Sequence, residues 1–199
     1  MLKRAFDIVF SAGWLVGFAP LLLVVAILVR LKLGSPVLFI QERPGLRARP
    51  FRMVKFRTMT DARGPDGELL PDEQRLTSFG KFLRTTTLDE FPEMWNVLIG
   101  DMSVVGPRPL LMRYVPRYDA FQARRMEVLP GVTGWAQVNG RNSLTWEEKF
   151  ALDVWYVDHR SFWLDMKIVV MTFFRVFART GIEARDGRAV EEFRGDKKD

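Results

Sequence analysis

Cysteine is absent from this 199-residue chain, and histidine occurs once, at His159. Without thiols there is no disulfide, no cysteine nucleophile and no thiolate metal site, and a reducing setting fits. A single histidine leaves no imidazole cluster for a metal and argues against a Ser-His triad; His159 reads as a surface or interface residue. The chain shows no internal repeat and no low-complexity tract. Its length suits one domain with one sizeable core. It carries 30 Lys+Arg against 24 Asp+Glu, a net charge of +6. That excess points to an anionic partner: phospholipid headgroups, a phosphorylated substrate or nucleic acid. The 16 Phe and 6 Trp include the residue type most typical of membrane interfaces.

Residues 8–29 carry no formal charge. As a straight helix they would extend about 33 Å, enough for a bilayer core. The stretch is too long for the apolar part of a secretory signal. Pro20 sits in its middle and breaks a regular helix there. Both flanks are basic, with Lys3 and Arg4 before and Arg30, Lys32 and Arg43 after. Basic flanks stay on the cytoplasmic side. Residues 1–33 therefore read as a re-entrant membrane helix broken at Pro20, with a plain spanning anchor as the alternative.

Residues 34–182 read as the catalytic domain. Six basic residues and one acidic lie between Gly34 and Thr60, on two short strands, 37–41 and 51–56, joined by a turn-rich loop. Lys55, Arg57 and Thr58 at the end of this hairpin are placed to grip phosphate. An acidic stretch follows over 61–76, read as a solvated loop or a flap. Phe91, Trp95 and Leu98 form an apolar stripe of helical period, and Thr87 to Glu90 match a capping box. Trp135 to Val138 suit a strand. Thr145 to Asp158 suit a helix with Thr145 as cap and Glu148 as its box partner. A helix over 163–179 is either a core helix or one lying in the headgroup layer. Residues 183–199 read as a charged, mobile tail. The fold class is α+β, mostly helical, with a small β-hairpin and amphipathic interfacial helices around a compact cytosolic domain.

The chemistry concentrates at Asp89-Glu90. An acidic pair in a first helical turn is usually a capping and dipole partner. Here Arg84 precedes it, and Arg108 follows in the rigid segment Gly106-Pro107-Arg108-Pro109. Carboxylates among arginines can meet a phosphate that they would repel alone. Adjacent carboxylates in a first turn point different ways, which argues against a glycosidase pair. A division of labour fits better: one attacks or binds metal, and the other handles a proton or orients its neighbour. A hard cation such as Mg²⁺ suits a carboxylate-plus-phosphate site.

Three stretches carry a resemblance. Residues 85–110, containing Thr87-Leu88-Asp89-Glu90-Phe91-Pro92 and ending Gly106-Pro107-Arg108-Pro109-Leu110, resemble the signature of the bacterial sugar transferases, the monotopic phosphoglycosyl transferases. Lys55-Phe56-Arg57-Thr58-Met59 and the run from Pro130-Gly131 to Asn139-Gly140-Arg141 match two further family stretches. The likeness runs from about residue 3 to about residue 177 and is closest to the small, minimal members. It implies transfer of a sugar 1-phosphate from a UDP-sugar to a polyprenyl phosphate in the bacterial cytoplasmic membrane, at its cytoplasmic face. UMP leaves, and Mg²⁺ is the cofactor. It further implies that Asp89 is the nucleophile, forming a covalent phosphosugar intermediate close to the metal, with Glu90 in support. Lys55, Arg84 and Arg108 would hold phosphates, and Arg141 and Asp153 would serve the nucleotide or acceptor side. The family's helix break at a proline matches Pro20, although Ala19 stands where many members have serine. A basic protein that binds anionic lipid or nucleic acid without catalysis is the main rival, but no stacking or groove-reading motif supports nucleic acid. A one-step transferase is the second.

Overall fold

The computed structural model describes residues 1–140, 143–178 and 192–195. It is mostly helical, with two small two-stranded sheets. Helix α1 (Leu2–Gly17) and helix α2 (Ala19–Leu33) meet at a 62° bend. The break falls at Phe18, not at Pro20 as expected from the sequence. The Phe18 N–H still donates to Trp14 O at 2.9 Å and closes α1. Pro20 lies in the first turn of α2, where a missing N–H has no helical partner to lose. Among the described residues no single helix is long and apolar enough to cross a membrane; the bent pair meets those criteria only together.

Polar contacts bolt α1 to the rest of the chain. The Arg4 guanidinium donates to Val97 O at 2.7 Å and Leu98 O at 2.8 Å. These are carbonyls of the last turn of helix α5 (Glu93–Ile99), where the regular helical donors run out; Val97 O also accepts from the N–H of the capping Gly100 at 3.2 Å. Asp7, only 2% exposed, accepts from Ser103 Oγ and the Val104 N–H, both at 3.0 Å. Lys3 reaches Val105 O at 3.0 Å and Asp165 Oδ2 at 2.5 Å. Lys3 and Arg4, read from the sequence as flanking charges, are thus structural ligands of the core.

Strands β1 (Leu38–Pro44) and β2 (Pro50–Phe56) form an antiparallel hairpin, pairing Leu38 with Phe56 and Pro44 with Pro50. Side chains alternate along β2. Phe51 and Met53 enter the main core, and Lys55, of the same parity, turns toward α5, where it meets Glu93. Asn96 of α5 fastens the two elements: its Oδ1 accepts from the Val54 N–H at 3.0 Å and its Nδ2 donates to Arg52 O at 2.8 Å. On the far side of the hairpin Val25, Val29 and Leu33 of α2 pack with Phe56 and Leu83. The rest of α2 leaves Leu23, Val24, Ile27 and Leu31 exposed. A helix apolar all round belongs in a core or in a membrane.

Two short helices follow the hairpin: α3 (Asp72–Arg75) and α4 (Ser78–Thr85). After α5, strand β3 (Ser103–Val105) pairs in parallel with β4 (Gly131–Thr133). The crossover between them holds a 3₁₀ segment, Met112–Arg117, containing Pro116, and helix α6 (Ala120–Ala123). Residues 135–138, expected to be a strand, form helix α7 (Trp135–Val138) instead. The strand is 131–133, one residue upstream of the helix, and it pairs its backbone with β3. Helix α8 (Trp146–His159) starts as expected on the Thr145/Glu148 capping box. Helix α9 (Phe162–Ala178) buries Asp165 and Ile168 and leaves Trp163, Phe173 and Phe174 exposed, so it is a core helix on one side and an apolar surface on the other. His159 is exposed and stacks on Trp155.

Candidate active site

The acidic pair does not open a long helix. Leu88–Glu90 form a single 3₁₀ turn, and α5 starts only at Glu93, after Pro92. The expected capping box is not made: Thr87 has φ 60° and ψ 13°, and its side chain caps nothing. A β-branched residue in left-handed backbone costs about 1–3 kcal/mol and is concentrated at functional sites. The turn is held from the other side as Phe91 packs into the α1–α2 corner, its ring 4.9 Å from Trp14 and 5.4 Å from Phe18. Chain strain and corner packing together fix where the two carboxylates point.

They reach a cavity of about 900 Å³ whose lining includes Arg43, Lys55, Arg57, Arg84, Asp89 and Glu90. Lys55, Arg57 and Thr58 therefore lie together as the hairpin's end suggested. The acidic stretch supplies another part of the wall, through Asp61, Leu69 and Asp72. Arg84 donates from Nε to Thr58 Oγ1 at 3.0 Å. That contact depends on α4 lying tight against the hairpin's end. A Cβ at Gly80 would stand 1.8 Å from Thr58 O. Gly80→Ala is expected to push α4 away, destabilise the protein by roughly 1–3 kcal/mol and weaken donor binding. A melting curve that overlays wild type would contradict this.

Asp89 is 6% exposed. Burial, with the charge of Glu90 added, pushes its carboxyl from the ordinary 3.8 to about 6, against the pull of Lys55, Arg108 and Arg84. Glu90 is ion-paired with Arg108, and its Oε1 lies 3.8 Å from Lys55 Nζ. Arg108 is not on the cavity wall; it acts on the cavity through Glu90. The charge of Glu90 in turn raises the pKa of Arg108.

Sequence reasoning missed Glu93. It is fully buried, both its oxygens lack a hydrogen-bond partner, and Oε1 lies 3.8 Å from Lys55 Nζ. Burial and Glu90 push its carboxyl upward. The available signal was its position three residues after Glu90, one turn along the same face. Arg43 was also missed as a site residue. It lines the cavity, donates to Gln41 Oε1 at 2.7 Å, and has a buried Nε with no partner.

Asp153, expected on the nucleotide or acceptor side, does not reach the cavity. It is 2% exposed and accepts from Arg125 Nε at 3.0 Å and Nη2 at 2.7 Å. Arg125 Nη2 also donates to the backbone carbonyl of Arg108 at 2.7 Å. Asp153 is thus separated from the acidic pair by two residues, Arg125 and Arg108. Arg141 lies outside the described residues.

Among the described residues no three His, Asp or Glu side chains form a ready metal cage. A hard divalent cation that binds with a diphosphate needs only one or two carboxylates. Asp89 on the wall, with the buried Glu93 oxygens that accept no hydrogen bond and only face Lys55, fits that lesser demand.

A strained acidic turn facing a cationic cavity has the chemistry to suit phosphate-bearing substrates. The chain belongs to the bacterial sugar transferase family, whose model matches residues 1–179. It is 53% identical over 195 residues to the uncharacterized sugar transferase EpsL of Bacillus subtilis (strain 168), covering 98% of this chain and 96% of that one. It is 40% identical over 185 residues to the UDP-glucose:undecaprenyl-phosphate glucose-1-phosphate transferase of Klebsiella pneumoniae. That match covers 88% of this chain but only 40% of the Klebsiella protein. A protein of the same name from Caulobacter vibrioides is 40% identical over 180 residues, covering 85% of this chain and 67% of its own length.

Proposed function

We propose that this protein moves a sugar 1-phosphate from a UDP-sugar to a membrane polyprenyl phosphate and releases UMP, the first membrane step in building a glycoconjugate. The observation that carries the reading is the buried Asp89 carboxylate on the wall of a cavity that also presents Arg43, Lys55, Arg57 and Arg84. Cationic walls of that kind neutralise a diphosphate and let an anion approach phosphorus. The names of the Klebsiella and Caulobacter relatives support the choice of substrates.

In the first half-reaction an Asp89 oxygen attacks the sugar-bearing phosphorus. The bond from that phosphorus to the bridging oxygen breaks, and UMP departs with the oxygen and the electron pair. In the second, an oxygen of the polyprenyl phosphate attacks the same phosphorus and displaces the Asp89 carboxylate. Lys55, Arg57 and Arg84 hold the phosphates. Glu90 orients Arg108 and Lys55 and takes a proton from the acceptor phosphate. Mg²⁺, bound through Asp89 and the donor's phosphates, would supply charge neutralisation in the donor complex. The exposed apolar faces of α2 and α9 favour a re-entrant α1–α2 pair seated in the cytoplasmic leaflet of the cytoplasmic membrane.

The test is UMP release by the protein in nanodiscs with a panel of UDP-sugars, Mg²⁺ and polyprenyl phosphate. One UMP per protein without acceptor is expected. No UMP with any donor sinks the transferase reading; UMP only with acceptor present sinks the two-step route alone. The raised carboxyl of Asp89 sets a pH dependence. The nucleophile must be ionised, so the acceptor-free burst, read as the second-order rate constant for UMP release at low donor, should fall about tenfold per pH unit below about 6. A rate that stays flat down to pH 5, about a unit below that value, contradicts the assignment.

A further inference from the structure

The described part of the carboxy-terminal stretch, residues 192–195, is anchored at a distance from the cavity. Phe193 is 4% exposed. Its ring lies 5.1 Å from Phe150, 5.5 Å from Trp146, 5.7 Å from Tyr114 and 5.8 Å from Tyr118. Arg117 donates to the Phe193 backbone carbonyl and, at 3.1 Å, to the side-chain Oε1 of Glu192. Two walls of this aromatic socket are shared with another group. The Arg125 guanidinium sits 5.6 Å from the Phe150 ring and 5.9 Å from the Tyr118 ring, and donates to the Tyr118 hydroxyl at 3.4 Å. Arg125 in turn holds the Arg108 carbonyl, and Arg108 pairs with Glu90.

We propose that Phe193 is a positioning residue: residues 192–195 are a strap whose phenyl ring closes the socket behind Arg125 and so keeps Arg108 on Glu90. The physical reason is dryness. The Arg125–Asp153 pair is buried to 3% and 2% side-chain exposure, and such a pair holds its geometry while water is excluded. Emptying the socket of one phenyl ring removes contacts from Phe150 and Tyr118 and admits water toward the guanidinium. The Arg108 carbonyl then competes with water for its donor. The link from strap to catalysis rests on the transferase reading; the mechanical link does not.

The test uses full-length protein in nanodiscs. Amide hydrogen exchange over residues 106–111 should be roughly tenfold faster in Phe193→Ala, with the 38–56 hairpin unchanged; this readout needs no turnover. UMP release should fall roughly tenfold to a hundredfold in kcat. Phe193→Leu, which refills the socket, should restore most of both. In an Arg108→Ala background, Phe193→Ala should cost nothing further, because the two act in series. Unchanged exchange over 106–111, or a full multiplicative loss in the double variant, overturns the proposal. If Phe193→Ala also loosens the hairpin, Phe193→Leu decides: exchange like wild type at 106–111 upholds the strap, and faster exchange confined to the socket rejects it. A wild type that releases no UMP refutes the transferase reading and leaves the exchange result to judge the strap.

Discussion

Asp89→Asn is expected to stop UMP release and, at the same time, to make the protein harder to melt. The loss should be at least about a thousandfold, since nothing nearby replaces a missing nucleophile. The gain follows from the cost of keeping this carboxylate charged. Below its ordinary 3.8 the group is neutral both folded and unfolded, and it adds no penalty. Between 3.8 and about 6 the unfolded chain ionises first, and folded stability falls. Above about 6 the full penalty, on the order of 3 kcal/mol, is in place. Asparagine keeps the shape and removes the charge. At pH 8, without substrate, the variant should therefore melt several degrees higher than wild type, and at pH 4 the two should nearly coincide. A variant that turns over near the normal rate removes Asp89 as nucleophile. One that melts lower at pH 8 refutes the burial argument.

Arg125→Met should produce the largest loss of stability, about 3–5 kcal/mol. It strands the Asp153 carboxylate where water cannot reach it. Burial already pushes that carboxyl up against the opposing pull of Arg125. With the guanidinium gone the rise is larger, so the defect should be severe at neutral pH and ease as acid neutralises Asp153. Replacing both partners, Arg125→Met with Asp153→Leu, should recover most of the stability, because two apolar groups need no partner. Activity should stay low in the double variant, since the Arg108 carbonyl has still lost its donor. A single variant that melts within about a degree of wild type would show that the pair is dispensable.

Local signals read well where one element decides its own structure. The Thr145/Glu148 box starts α8 at the expected place, and alternation on 51–56 gives a strand with Lys55 facing the site. The reading failed where distant residues decide. Thr87 is turned left-handed in a segment whose next residue but three, Phe91, is caught by Trp14 and Phe18. Those rings are more than seventy positions away, and a capping pattern carries no trace of them. Residues 135–138 have strand-like composition, but the partner strand is taken by 131–133. From the sequence Asp153 is a polar candidate for the nucleotide or acceptor side, and only the fold shows that Arg125 consumes it. Glu93 went unnoticed because a glutamate in a first turn is ordinary; its lack of any hydrogen-bond donor exists only in three dimensions.

Arg4, by sealing the end of α5, makes the first helix part of the same rigid unit that carries Asn96 and Glu93. A tether joined by a slack linker would let the reaction chamber wander above the lipid. On the proposed seating of the α1–α2 pair in the bilayer, the depth of that pair and the height of the cavity are one mechanical quantity, and a change in bilayer thickness would be felt directly at the carboxylates.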